Sequence, residues 1–427
     1  MRIDRLGDLG DAPAVLGALG AAAASLGLAP PAALIGDWFG SRAVIAPSVT
    51  VTSVPSRTAF DVAPAGMPNG PVGTSGGPVG GGWFGYLSYP DAGADGLEPR
   101  IPEAAGGWSD SVLRLARDGI WWHESLSNAK TSGWVSDAVR SLSAQRAATV
   151  TWGAADRTAH RRGVLACLDA IAAGEVYQAC VCTQFGGTLR GEPIDFFVEA
   201  AARTAPARAA YLAGQWGAVA SLSPELFLRR CGEHVASSPI KGTLPADADP
   251  AELRASVKDV AENIMIVDLV RNDLGRVAHT GSVTVPELLA IRPAPGVWHL
   301  VSTVSARVPA DLPMATLLDA TFPPASVTGT PKGRARELLV NWEPQRRGIY
   351  CGTVGLASPV AGAELNVAIR TVEFTADGSA VLGVGGGITA DSDPEREWDE
   401  CLHKAAPIIG RGVGSVRGET PPVASAH

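Results

Sequence analysis

The strongest constraint on the fold comes from two segments in the second half of the chain that combine an apolar stripe with acidic pairs. In the first, Leu253 to Leu269, apolar residues recur with spacings of 4, 3, 4 and 3, which predicts an amphipathic helix. Its expected core positions are Leu253, Val257, Val260, Ile264 and Val267. The second covers Glu395 to Ala406, and we expect Pro407 to end that helix.

Each predicted helix carries two carboxylates three residues apart. Asp259 and Glu262 lie on the first, and Glu397 and Glu400 lie on the second. Residues at this spacing project from the same side of a helix. Two such pairs facing each other would offer the oxygen ligands that Mg²⁺ prefers. The alternative is a pair of helix faces exposed to water, and the spacing alone is compatible with both.

A lysine and a glutamate form a second candidate group. Lys241 lies in a short apolar stretch between Pro239 and Gly242, where partial burial would make its amine a candidate nucleophile or base. Glu225 precedes a predicted strand, and the two residues could be neighbours in a hairpin and act as an acid/base and nucleophile pair. The alternatives are a lysine on an edge strand and a glutamate that faces solvent.

Two turns and two isolated basic residues suggest binding of carboxylates. Ser326 to Lys332 and Gly385 to Gly387 would expose backbone N–H groups. Arg370 lies in an apolar strand-like segment and could hold a carboxylate by two hydrogen bonds. His299 lies between a tryptophan and a leucine. Simple turns, a structural ion pair and a core histidine are the alternatives.

Composition excludes several classes of protein. With 46% hydrophobic and 18% charged residues, the chain has ample material for a buried core. The net charge of −8 argues against binding of nucleic acid. The six cysteines contain no Cys-x-x-Cys pair, so no zinc site is expected. The longest uncharged run is rich in Ala and Gly and is broken by Pro30-Pro31, which predicts a cytoplasmic protein without a membrane segment.

Changes in composition predict three regions. Residues 1–152 contain short strand-like runs and form a predicted N-terminal domain, whereas residues 153–412 contain longer and more regular segments. The second region would be the catalytic domain. Residues 413–427 are polar and rich in Pro and Ala, which predicts a flexible tail. Strands and helices together predict an α+β fold.

Five ordered motifs carry a resemblance to a known family. They are Pro239-Ile-Lys-Gly-Thr243, Ala261-Glu-Asn-Ile-Met-Ile-Val-Asp-Leu-Val-Arg-Asn-Asp273, Thr328-Gly-Thr-Pro-Lys332, Glu343-Pro-Gln-Arg-Arg347 and Gly385-Gly-Gly-Ile388. On these motifs the chain resembles the chorismate-utilising enzymes, the family of anthranilate synthase component I. The resemblance covers about residues 163–409. It implies layered antiparallel β-sheets flanked by helices, with a deep central cleft that binds chorismate.

The resemblance also implies roles for the candidate residues. Glu262 and Glu400 would bind Mg²⁺ directly, and Asp259 and Glu397 would hold metal-bound waters. The metal would bind the ring carboxylate of chorismate and assist loss of the C4 hydroxyl. The implied substrate-binding residues are Gln178, Thr243, His299, Thr328, Gly329, Tyr350, Arg370, Gly385, Gly386, Gly387 and Lys404.

Two positions distinguish branches of the family. Anthranilate synthases have alanine where this chain has Lys241, whereas amino-transferring enzymes that direct the amine to C4 have lysine. The resemblance therefore implies that Lys241 adds at C2, that Glu225 protonates the leaving hydroxyl, and that ammonia then enters at C4. Water-adding relatives have a lysine base where this chain has Gln178, so hydration of chorismate is disfavoured.

The expected reaction needs a source of ammonia. The chain has no recognisable Gly-x-Cys-x-Gly nucleophile motif, so we expect ammonia to come from a separate glutamine amidotransferase subunit. The expected product is 4-amino-4-deoxychorismate. The alternatives are a component I that makes anthranilate or 2-amino-2-deoxyisochorismate, and a non-catalytic subunit that binds chorismate.

Overall fold

The structure is a computed structural model that describes residues 1–63, 77–91, 98–141 and 146–410. Strands are the commonest regular element. In order they are β1 (Arg2–Gly7), β2 (Ala32–Trp38), β3 (Ser41–Ala46), β4 (Thr52–Ser53), β5 (Gly82–Leu87), β6 (Ala104–Ser109), β7 (Ser111–Leu115), β8 (Trp121–Ser125), β9 (Thr149–Trp152), β10 (Gln178–Arg190), β11 (Arg208–Gly214), β12 (Gly217–Ser223), β13 (Leu226–Cys231), β14 (His234–Ser238), β15 (Ile240–Pro245), β16 (Thr284–Ala294), β17 (Val297–Arg307), β18 (Gly329–Thr330), β19 (Thr353–Ser358), β20 (Gly362–Asn366), β21 (Thr371–Thr375) and β22 (Ser379–Ile388).

Helices connect the strands and cover the sheets. Those in the described part of the chain are α1 (Ala12–Ser25), α2 (Gly133–Arg140), α3 (Arg157–Ala172), α4 (Pro193–Thr204), α5 (Glu252–Ala255), α6 (Val257–Gly275), α7 (Met314–Thr321), α8 (Lys332–Trp342) and α9 (Pro394–Ile409). None of these helices has the combination of length and apolar character that crossing a bilayer requires.

Two antiparallel sheets organise the fold. The first has twelve strands, ordered β1-β8-β7-β3-β2-β11-β12-β21-β22-β10-β18, with β9 beside β10. The second has ten strands, ordered β15-β17-β14-β13-β20-β19-β5-β6-β4, with β16 beside β17. Both sheets combine strands from before and after residue 152, so the division there stays a prediction. The tail predicted at residues 413–427 lies outside the described residues.

Apolar side chains fill the layers between these elements. One buried cluster includes Trp38, Phe84 and Leu356 and lies between the two sheets. A second includes Leu16 of α1 and covers the first sheet, and a third includes Ile266 of α6 and covers the second sheet. The arrangement confirms the predicted α+β fold with layered antiparallel sheets flanked by helices.

The predicted helix from 253 to 269 is in fact two helices. Ser256 separates α5 from α6, and its side chain accepts a hydrogen bond from the backbone N–H of Asp259 at 3.2 Å. This cap starts a new helix, so the apolar stripe does not continue across it. Val257 and Ile264 are consequently exposed rather than core residues, which corrects the prediction. Asn263, Ile266 and Val270 are buried on the same helix instead.

The prediction that Pro407 ends the last helix is also wrong. Pro407 lies inside α9, which continues to Ile409. A proline so close to the end of a helix removes a single backbone hydrogen bond near the terminus. The helix ends at Gly410, whose φ of 79° favours glycine.

Candidate active site

The predicted site residues converge where β10 and β22 of the first sheet meet β15 of the second. The clearest marker is Gly387 on β22. A Cβ atom at this glycine would lie 3.4 Å from Nε2 of Gln178, 3.4 Å from Nζ of Lys241 and 3.6 Å from Oε2 of Glu262. Three predicted residues from three elements therefore surround one glycine, whose lack of a side chain leaves them the space.

The neighbouring Gly386 faces the second acidic helix. A Cβ atom there would lie 2.8 Å from Oε2 of Glu397 and 3.7 Å from Oε1 of Glu400. Glu397 is buried, and its Oε2 has no hydrogen-bond partner among the residues that the structure describes. The glycine strand, Gly385 to Gly387, thus borders carboxylates of both acidic helices. We call Asp259, Glu262, Glu397 and Glu400 the carboxylate cluster.

Lysines hold part of the carboxylate cluster. Nζ of Lys404 lies 2.7 Å from Oε1 of Glu400 and donates to the carbonyl oxygen of Gly385 at 2.7 Å. Burial would raise the pKa of Glu400, but the ammonium groups of Lys404, Lys258 and Lys241 outweigh it and hold that pKa below its ordinary value. Burial opposes the charge of Lys404, yet Glu400 raises the pKa of the lysine, so both groups are ionised.

Lys258 joins the two acidic helices. Its Nζ lies 3.4 Å from Oε1 of Glu397 and 3.9 Å from Oε1 of Glu262. Burial raises the pKa of Glu262, and the neighbouring charges of Glu400 and Asp259 raise it further, whereas Lys241 and Lys258 lower it. Sequence reasoning missed Lys258, although its position one turn before Glu262 was a usable signal.

The carboxylate cluster has the chemistry of a Mg²⁺ site. Among the described residues, no three acidic, histidine or cysteine side chains already converge on one metal-sized point. Its donors are nevertheless carboxylate oxygens from two helices, the class that Mg²⁺ prefers. A buried, unpartnered oxygen of Glu397 faces Gly386. The residues therefore fit the predicted ion. Asp259 lies beside β15, where it packs against Gly242.

Glu225 is buried and lies close enough to Lys241 to feel its charge. Burial raises the pKa of its carboxyl to about 7, against the lowering effects of a hydrogen bond from Ser326, the charge of Lys241 and the backbone N–H of Ile240. A carboxyl group that titrates near neutral pH can both give and take a proton. Ser326 is a second residue that sequence reasoning missed, although it belongs to a turn already singled out.

Glu225 and Lys241 approach each other differently from the predicted hairpin. Leu226 pairs with Ser238, and β15 then crosses to pair with β17 rather than with β13. Glu225 and Lys241 therefore both lie just beyond the end of the β13–β14 pairing and are not paired with each other. The backbone of β15 still contributes, since the N–H of Ile240 donates to Glu225.

Thr243, His299 and Arg370 lie on the same side as Glu225. Nδ1 of His299 lies 2.9 Å from the hydroxyl oxygen of Thr243, and its Nε2 is buried without a partner. Burial, and secondarily Arg370, lowers the pKa of His299 to about 4, so the ring is neutral. Arg370 has a positive φ of 51° and no ion pair within 4 Å in the described part of the chain, and burial lowers its pKa.

The turn that contains Thr328 and Gly329 is fixed to β10. The backbone N–H of Cys180 donates to the carbonyl oxygen of Thr328 at 2.8 Å. Arg347, which is buried, donates to the carbonyl oxygens of Cys180 at 2.6 Å and Val327 at 2.8 Å. Gly329 has a φ of 155°, and a Cβ there would lie 2.7 Å from Ala335. Arg347 therefore positions the turn, a role that the motif alone did not reveal.

Tyr350 packs against the glycines of β22. It is buried and packs on Gly383, where a Cβ would come within 2.2 Å of its ring. Burial, with the nearby Cys182 and Cys351, raises its pKa well above the ordinary value. Gln178 is also buried, and its Oε1 has no partner. The unpartnered oxygen leaves Gln178 able to accept a hydrogen bond from a ligand.

Sequence comparison finds relatives among two kinds of synthase component 1. The chain is 44% identical to aminodeoxychorismate synthase component 1 of Klebsiella aerogenes over 243 residues, which are 55% of this chain and 54% of that protein. It is 37% identical to anthranilate synthase component 1 of Streptomyces coelicolor over 248 residues, 56% of this chain and 48% of that protein. The chain thus spans about half the length of these curated relatives.

Structural comparison and a family model agree with the expected fold. The crystal structure of anthranilate synthase component I from Streptococcus pneumoniae superposes with a TM-score of 0.70 at 23% identity, covering 90% of this chain and 91% of that one. The family model for chorismate binding enzyme matches residues 59–410, which include every predicted site residue. The resemblance is confirmed, and the chain belongs to the family of chorismate binding enzymes.

Proposed function

We propose that this chain is an aminodeoxychorismate synthase component I, which converts chorismate and ammonia to 4-amino-4-deoxychorismate. The observation that carries the proposal is the position of Lys241. Its Nζ and Oε2 of Glu262 both border Gly387, and its charge also acts on Glu225 and Glu400. An amine between a titratable carboxyl and a carboxylate cluster can act as a nucleophile. The identity to relatives of this name supports the same reading.

In the first step, the ammonium group of Lys241 gives up one proton to water, and the resulting neutral amine attacks C2 of chorismate. The C2–N bond forms, both ring double bonds shift, and the C4–O bond breaks. Glu225, whose pKa is about 7, gives its proton to the departing hydroxyl, which leaves as water. The nitrogen of the adduct then loses a proton, which restores neutrality.

In the second step, ammonia attacks C4 from the side that the hydroxyl left. The C4–N bond forms, both double bonds shift back, and the bond between C2 and Lys241 breaks. The ammonium group formed at C4 gives one proton to the departing nitrogen, so Lys241 leaves as a neutral amine. The balance is chorismate plus ammonia giving aminodeoxychorismate plus water, with no redox partner required.

The remaining residues would bind and orient the substrate. Arg370, on which the charge of Glu225 acts, makes no ion pair within the described part of the chain and can pair with a carboxylate of chorismate. Nε2 of the neutral His299 and Oε1 of Gln178 have no partner and can bond polar groups of the ring. Glu262 and Glu400, with Asp259 and Glu397, would hold Mg²⁺, which supplies Lewis-acid stabilisation at the ring carboxylate.

The source of ammonia belongs to the same proposal. Relatives named component 1 imply a partner component, and we infer that a glutamine amidotransferase subunit supplies ammonia. Free ammonium salts should replace that subunit in vitro, because the proposed second step uses ammonia itself.

Product analysis tests the proposed activity. The purified chain with chorismate, Mg²⁺ and an ammonium salt at alkaline pH should give a product aminated at C4 that retains the enolpyruvyl group, identified by mass spectrometry and NMR. Intact-mass measurement before ammonia is added should detect the protein carrying chorismate less one water. An amine at C2 would replace this proposal by the anthranilate-type alternative.

A matched pair of variants tests the nucleophile. Lys241→Ala should lower the rate of C4 amination by about 10³-fold or more, because the covalent route is lost. Lys130→Ala makes the same change at an exposed lysine and should leave the rate unchanged. Full activity of Lys241→Ala with ammonia would refute the covalent mechanism, whatever the product.

A further inference from the structure

We propose that Lys258 is a positioning residue for the carboxylate cluster: it holds the outer oxygens of Glu262 and Glu397 so that their inner oxygens face the glycine strand. This inference rests on the proposed Mg²⁺ site. Lys258 does not border Gly385 to Gly387 and takes no part in the proposed chemical steps. It would act through the two glutamates that it contacts.

The contacts divide the oxygens of each glutamate into two sets. Nζ of Lys258 lies 3.4 Å from Oε1 of Glu397 and 3.9 Å from Oε1 of Glu262. The Oε2 atoms are the ones that border the glycine strand, at Gly386 for Glu397 and at Gly387 for Glu262. One cation therefore contacts the outer oxygens of both residues, and both inner oxygens are left for a ligand.

A second donor strengthens the same division. The hydroxyl of Ser392 donates to Oε1 of Glu397 at 2.7 Å, so this oxygen has two donors. Oε2 of the same side chain is buried without any partner. A buried carboxylate oxygen left unpaired is costly. Lys258 and Ser392 fix Oε1, so the carboxylate cannot rotate to bring Oε2 to these donors. Oε2 therefore keeps pointing to the glycine strand.

Lys258 also links two helices that carry like charges. Among the ion pairs of the described residues, Lys258 to Glu397 is the one that joins α6 to α9. Carboxylates that face each other repel and favour separation of the helices. The ammonium of Lys258 offsets this repulsion from a half-exposed position outside the cluster. Partners of metal ligands in such positions typically tune metal affinity by 10–100-fold.

Calorimetric titration of the protein with MgCl₂ alone tests the inference. Lys258→Met keeps most of the side-chain stem and removes the charge, and we expect it to weaken Mg²⁺ binding about tenfold. Lys258→Arg keeps a cation and should restore most of the affinity. Arg271→Met removes an exposed positive charge from the same helix and should leave the affinity unchanged.

The opposite outcome is equally measurable. If Lys258 merely competed with the metal for the carboxylates, Lys258→Met would bind Mg²⁺ more tightly, and tighter or unchanged binding overturns the proposal. Ser392→Ala alters no charge and should also weaken binding, by a smaller factor. If the unaltered protein binds no Mg²⁺, the proposed metal site itself fails. If it binds and Lys258→Met binds equally well, only the role of Lys258 fails.

Discussion

Two sets of buried glutamates in this molecule differ in how completely they are paired. Glu364 accepts hydrogen bonds from Arg229 at 2.6 Å on one oxygen and from Arg208 and the backbone N–H of Phe39 on the other. Glu397 is equally buried, yet one of its oxygens has no partner. The first arrangement is complete without a ligand and serves folding. The second is incomplete, as we expect of a carboxylate that binds a ligand.

The largest expected effect is on the glutamate that titrates near neutral pH. Glu225→Gln keeps the shape of the side chain and removes the proton that the leaving hydroxyl needs, so kcat should fall about 10²–10⁴-fold. Steady-state kinetics with chorismate and ammonium measure this fall in kcat. The melting temperature serves as the control and should not fall, since the variant removes a buried charge. A normal kcat in this variant would show that Glu225, like Glu364, serves folding and takes no part in the reaction.

The paired glutamate should show the reverse pattern. Glu364→Ala would leave Arg208 buried with its main partner gone, which should lower the free energy of unfolding by about 3–5 kcal/mol. Urea unfolding measures this loss. Chorismate turnover per folded molecule should stay near normal, because Glu364 lies outside the site.

A change at Glu397 of the carboxylate cluster tests the same difference between paired and unpaired glutamates. Glu397→Gln should lower the unfolding free energy of the metal-free protein by much less than Glu364→Ala does. Oε2 has no donor among the described residues, and the cation paired with Oε1, at 3.4 Å, is the half-exposed Lys258, whose ion pair is worth about 1 kcal/mol or less. Equal losses of stability in Glu364→Ala and Glu397→Gln would remove the distinction between complete and incomplete pairing.

Sequence alone predicted the family, the fold class and the residues that border the glycine strand. These features follow from local patterns: the acidic pairs three residues apart, the Pro-Ile-Lys-Gly-Thr stretch and the glycines. Gln178, Lys241 and Glu262 indeed meet at Gly387. Such motifs can be recognised in a sequence because each functional group, such as a carboxylate or an amine, is supplied by only one or two residue types.

The rest depended on tertiary packing that local patterns do not carry. The stripe from Leu253 to Val267 was misread because the cap at Ser256 restarts the helix and turns Val257 outward. The roles of Arg347 and Ser326 depend on contacts with β10 and Glu225, which are distant in sequence. Positioning residues of this sort become visible only when the elements are packed together.

The titration of Glu225 should appear in the pH dependence of stability. Its folded pKa of about 7 lies above the ordinary 4.5, so its contribution is fully present below pH 4.5 and is lost as the pH rises toward 7. The loss should reach roughly 3 kcal/mol. Unfolding free energies measured at several pH values, compared with those of Glu225→Gln, isolate this group. Parallel profiles for the two proteins would show that Glu225 titrates normally.

The smallest expected effect comes from the hydroxyl that bonds Glu225. The hydrogen bond from Ser326 favours the ionised carboxylate, so Ser326→Ala should raise the pKa of Glu225 further. A hydrogen bond to a charged group is worth about 1.5–3 kcal/mol, and a shift of about one pH unit corresponds to the lower end of that range. Infrared absorption of the carboxyl group, referenced to Glu225→Gln, follows the titration directly. Ser392→Ala, which removes a hydroxyl from Glu397 instead, is the matched control and should leave this titration in place. A shift in the control and none in Ser326→Ala would mean that the carboxylate cluster, rather than the turn beside Glu225, sets its proton affinity.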